Sequence, residues 1–162
     1  MTLINWYNRN FILFEFCLVL VLSSGFVIWG EVFSGSTSIN NWLFGIRKEL
    51  YSTIASISGA LLGFIITSIS IVIIFVESDK LELLRKSKNY ETLYRVFIAA
   101  IKYLAFTTLI AIIGLVADKD LSPHNWIMYL VFFGVLLSIF SLGRCIWVIE
   151  KLISIITSRS TN

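Results

Sequence analysis

The sequence predicts an all-α integral membrane protein, with four transmembrane helices in an antiparallel bundle and both termini in the cytoplasm. Three observations predict it. Hydrophobic residues make up 57% of the 162-residue chain, above the soluble average of about 45–50%, and the mean hydropathy is +0.87. The excess falls in four long runs separated by short polar stretches. Lys and Arg are divided unequally about those runs.

A helix crosses a hydrocarbon core of about 30 Å with about 20 apolar residues. The first run, 11–30, reaches that length and is preceded by Asn8-Arg9-Asn10. A signal peptide would share the basic start and the Ser23-Ser24-Gly25 stretch, but the run stays apolar to Phe33, so a retained span is expected. An outer loop, Glu31–Leu50, follows; it is rich in Ser, Asn and Gly, and its Trp42-Leu43-Phe44 suits the headgroup level. The second span is 51–76. The cytoplasmic loop 77–95 contains the most charged segment, Glu77–Glu91, expected to be helical at first and to break near Ser87–Asn89.

The third span, 96–117, and the fourth, 126–147, are joined by Asp118–Asn125, where Ser122-Pro123 reads as a helix N-cap followed by proline at the first helical position. The fourth helix continues into a cytoplasmic tail, 148–162. No internal repeat is visible, which argues against an inverted-repeat transporter. The whole chain reads as one membrane domain.

Orientation follows from the cations near the span ends. One side holds Arg9, Lys80, Arg85, Lys86, Lys88, Arg95, Arg144, Lys151 and Arg159; the other holds Arg47, Lys48 and Lys119, with Lys102 inside the third span. Nine against three puts the middle loop and both termini in the cytoplasm. The net charge of +3 therefore reflects topology, and no nucleic-acid binding is expected. Cys17 and Cys145 both lie inside spans, so no disulfide framework is indicated.

Three groups of residues are candidates for function. In span two, Ser52, Ser56, Gly59, Gly63, Thr67 and Ser70 share one helix face, and Gly59–Gly63 is a GxxxG that permits close backbone approach. That face can pack, within the chain or between copies, or it can line an oligomeric pore. Glu15, Lys102 and Arg144 are charges within spans. The two cations are long enough to snorkel, and Glu15 could pair with Lys102 or with Arg144. Lys80, Arg85, Lys86, Lys88, Tyr90 and Tyr94 form a basic and aromatic surface that suits anionic headgroups, or docks a cytosolic protein.

His124, with Asp118 and Asp120 nearby, could touch a metal, but no HExxH or CxxC accompanies it, and it reads as an exposed cap residue. No nucleophile–base pair or phosphate loop is present, so neither an enzyme nor a cofactor is expected.

The small-residue span ISGALLGFIITSISIVI, the basic linker LRKSKNY and the third span, together Ser52–Phe106 and about a third of the chain, resemble small four-helix phage-defence membrane proteins. The phage-lambda Rex B exclusion protein and the A component of the Kiwa system are of this kind. The resemblance implies a homo-oligomer in a bacterial inner membrane, working either as a sensor and anchor for a cytosolic effector or as a depolarising pore; a small transporter or accessory subunit is a further alternative. It brings no catalytic or ligand-binding residues with it.

Overall fold

Only one proline occurs in the chain, Pro123, so no pyrrolidine ring interrupts the apolar runs and each is free to close its own helical hydrogen bonds. The computed structural model describes residues 3–33, 35–76, 88–120 and 122–160, with side chains described at 13–33, 35–71, 73, 94–120 and 122–150. The described residues form five helices: α1 Leu3–Val32, α2 Gly35–Leu43, α3 Arg47–Val76, α4 Lys88–Ala117 and α5 Asn125–Ser160. Four of them hold stretches long and apolar enough to cross a membrane: Leu13–Val32, Arg47–Ile71, Tyr94–Ala117 and Asn125–Glu150. Several hydroxyls within these stretches bond back to their own helix, as Ser70 does to the Ile66 carbonyl at 2.8 Å, which meets their donors inside the helix itself; the buried Ser23 hydroxyl of α1 has no such partner among the described residues.

The packing is a three-helix core with one helix outside it. One cluster joins Ile65 and Ile69 of α3, Val96, Phe97, Ala100 and Leu104 of α4, and Cys145 of α5. A second joins Tyr51 of α3 to Ile127 and Val131 of α5. Neither cluster includes a residue of α1, which packs against α5 and α2 alone to any extent. The expected bundle is therefore asymmetric, and span one is its peripheral member.

Several boundaries differ from the sequence expectation. The expected outer loop Glu31–Leu50 contains a helix, α2, and α3 already starts at Arg47. α2 forms without strong intrinsic propensity because Gly35, Ile39 and Leu43 turn inward, and Gly45, at φ +82°, stops it in the left-handed conformation that follows many helix ends. Next to the expected break near Ser87–Asn89, α4 begins at Lys88; residues 77–87 lie outside the described residues. α5 begins at Asn125, so Pro123 precedes the helix, and the His124 carbonyl accepts the Ile127 N–H at 3.0 Å. The side chain that organises this turn is Asp118, which accepts the His124 backbone N–H at 2.8 Å.

Candidate functional site

At the end of the molecule capped by α2, residues of α2, α3, α5 and the turn between α4 and α5 form one network around the Asp118 carboxylate. α3 brings in Arg47, whose Nη1 donates to Asp118 Oδ2 at 2.7 Å. Both side chains are buried, at 2% and 0% exposure. One helical turn along α3, the Tyr51 hydroxyl donates to the same oxygen at 2.5 Å. Arg47 Nη2 donates to Asn40 of α2, and Asn40 Nδ2 donates to Asn125 at the start of α5 at 3.2 Å. Asp120 Oδ1 lies 3.5 Å from Arg47 Nε, an electrostatic contact rather than a hydrogen bond.

A guanidinium out of water is tolerated only when its donors are met. Here the carboxylate, an amide oxygen and a second carboxylate surround it. Sequence reasoning placed Arg47 and Asp118 in separate outer loops and missed the cluster. The available signal was an Arg at the start of one apolar run and an Asp at the end of another.

Near the middle of the helices, hydroxyls join the three core members. Thr107 of α4 and Ser138 of α5 bond at 2.9 Å, and Thr108 donates to Ser58 of α3 at 2.9 Å. Backbones approach closely at Gly134, where an added methyl group would lie 2.8 Å from Thr107 Oγ1.

The expected GxxxG does not play this part within the chain. A methyl group at Gly59 would meet only the Thr108 methyl, at 3.9 Å, and one at Gly63 would meet nothing within 4 Å. Successive residues of α3 are turned by about 100°, which divides it into three stripes. Tyr51, Ser58 and Ile65 are buried in the core. Leu50, Ile57, Phe64 and Ile71, at seven-residue spacing, form a bulky exposed stripe. On the other side Ser52, Ser56, Gly63, Thr67 and Ser70 are exposed and Gly59 is half-buried. The six small residues thus share a face, and that face points away from the rest of the chain.

Of the three charges within spans, two meet. Arg144 of α5 and Glu15 of α1 form an ion pair, with side chains 8% and 19% exposed. Fifteen residues along both helices, α1 and α5 meet again, where Gly30 leaves room for the Tyr129 ring and Tyr129 donates to Glu31 at 2.9 Å. Equal spacing on both helices is the register of an antiparallel pair. Between the two contacts, Phe26 stacks on Phe132 at 4.2 Å and Phe16 meets Phe133 edge-on at 5.9 Å. Lys102 is exposed on α4 and makes no ion pair among the described residues.

Lys80, Arg85 and Lys86 lie outside the described residues, and so do the side chains of Lys88 and Tyr90, whose backbones open α4. Tyr94 is exposed. The exposed His124 ring bonds through Nδ1 to the Ser122 carbonyl at 2.9 Å. Among the described residues no group of three or more His, Cys, Asp or Glu side chains is placed to hold a metal. Cys17 and Cys145 are free thiols, the first exposed and the second buried. No protein-family model matches the sequence, and no curated protein or solved structure shows significant similarity to it.

Proposed function

We propose that the chain is a multi-pass protein of a bacterial cytoplasmic membrane, acting as a homo-oligomeric anchor and sensor that docks a cytosolic effector in defence against phage. Membrane residence is supported by the tryptophans of α5. Trp126 and Trp147 are 57% and 58% exposed; 21 residues at about 1.5 Å each put them about 32 Å apart, close to the hydrocarbon thickness of about 30 Å. The Lys and Arg asymmetry then directs the end opposite α2 to the cytoplasm.

One observation carries the docking role. At that end α4 begins six residues before its apolar stretch and α5 continues ten residues beyond its own. The extensions, about 9 and 15 Å long, include Lys88, Tyr90, Lys151 and Arg159. A helical platform carrying these three cations and a tyrosine suits an acidic protein surface or anionic headgroups. The outward-facing small residues of α3 suit contact between copies, because lipid-embedded helices associate through such faces.

A pore is the second reading. It draws on the same α3 face, since the interior between α3, α4 and α5 is filled by side chains. The test compares two sets of variants in one cell-protection assay, alongside ion flux in liposomes. For an anchor, neutralising Arg85, Lys86 and Lys88 abolishes protection while the oligomer persists. Wild-type flux that is lost on making Thr67 and Ser70 bulky and apolar, with the charge variants unimpaired, would overturn the anchor in favour of the pore.

A further inference from the structure

The helix α2 has three differently dressed sides. Gly35, Ile39, Asn40 and Leu43 turn toward the molecule, while Thr37, Ser38 and Asn41 are exposed on the opposite side. Trp42 is 78% exposed and, at about 100° per residue, lies about 90° round from the inward stripe. It points sideways. Phe33 before the helix, and Phe44 and Ile46 after it, are also exposed. The helix carries no charged residue, and the one cation of the turn that faces inward, Arg47, is neutralised by Asp118.

From this we infer that α2 and its flanking turns are a lipid-contacting element seated at the outer headgroup layer, and that its partner is the bilayer interface itself. The inward side caps the bundle, the hydroxyl and amide side meets water, and Trp42 enters the lipid laterally. Indole rings favour that level because one edge is apolar and the N–H needs a polar partner. Trp126 marks the same level on a separate element, since Asn125 beside it bonds to Asn40 of α2. The element is held in place by the Asn40 contacts to Arg47 and Asn125, so that movement of the headgroup layer reaches the ends of α3 and α5 directly. The inference rests on the membrane reading above and supplies its sensor with a receiving surface.

Single-tryptophan variants retaining Trp42, Trp126 or Trp147 test it in vesicles of phosphatidylethanolamine and phosphatidylglycerol. Two quenchers are compared: a nitroxide lipid labelled near the headgroup, and aqueous iodide. The same readings are taken as the difference between the whole chain and its Trp42→Phe variant, which leaves every other tryptophan in place. Trp42 is expected to be quenched by the nitroxide lipid to the same extent as Trp126 and to be protected from iodide. Quenching of Trp42 by iodide alone would put the cap in water and overturn the proposal. Protection from both quenchers would overturn it too, because a second copy would then cover the ring. If Trp126 and Trp147 also escape the nitroxide lipid, the membrane reading itself fails.

Discussion

The guanidinium of Arg47 and the carboxylate of Asp118, 71 residues apart in sequence, meet at 2.7 Å with neither side chain more than 2% exposed. Removing one member of a buried pair leaves an uncompensated charge and costs about 3–5 kcal/mol, whereas replacing both with apolar groups of similar size is often neutral. Arg47→Met is therefore expected to lower thermal stability in detergent sharply. The double variant Arg47→Met, Asp118→Leu should recover most of the loss. A double variant no more stable than Arg47→Met would show that the hydrogen bonds of Asp118 to Tyr51 and His124 matter more than its charge.

The Glu15–Arg144 pair makes a separate test, because it fastens only α1. Coupling between contacting charges is about 0.5–3 kcal/mol in double-mutant cycles. Glu15→Gln and Arg144→Gln should each loosen α1, read as faster proteolysis at the α1 end or lower thermal stability. The reversed pair, Glu15→Arg with Arg144→Glu, should restore part of it. Additive losses would mean that the other contacts of α1, among them the aromatic pairs and the Tyr129–Glu31 hydrogen bond, hold it in place.

Glycine substitutions separate folding from association. Gly134→Leu forces a side chain against Thr107, and overpacking of this kind typically costs about 1–3 kcal/mol. Its expected signature is a less stable chain. Gly63→Leu meets open space within the chain, so it should leave the monomer stable and reduce the oligomer mass seen by light scattering. Unchanged mass after Gly63→Leu combined with Gly59→Leu would remove the proposed contact between copies.

Topology is tested by cysteine labelling in spheroplasts, with Cys17 and Cys145 replaced. Ser122→Cys, in the α4–α5 turn, should react with an impermeant maleimide from outside, and Ser87→Cys should not. The opposite pattern would invert the orientation and move the α2 cap to the cytoplasm.

Much of this architecture is legible in the sequence, for a simple reason. Apolar length is a one-dimensional signal, and it survives without knowing which helix touches which. Pairing is not of that kind. Glu15 had Lys102 and Arg144 as partners at comparable depth, and only the docking of α1 on α5 selects Arg144. The GxxxG of α3 drew attention because it is a pattern, yet the close approaches within the chain occur at Gly30, Gly35, Gly114 and Gly134, none of which sits in one. The α2 helix was hidden by its Ser- and Asn-rich composition, which reads as loop until Ile39 and Leu43 find something to pack on.

The peripheral place of α1 also has a consequence in time. α1 is synthesised before the other four described helices, yet the helix it docks on, α5, is made after them. At about 5–20 residues per second, the 129 residues separating Glu15 from Arg144 take between about 6 and 26 s to make. If α1 enters lipid as proposed, it holds during that interval a carboxylate whose counter-ion Arg144 has not yet been made. Either a proton or the insertion machinery has to serve that carboxylate until the ribosome delivers Arg144, so this contact forms only after α2, α3 and α4 have been made.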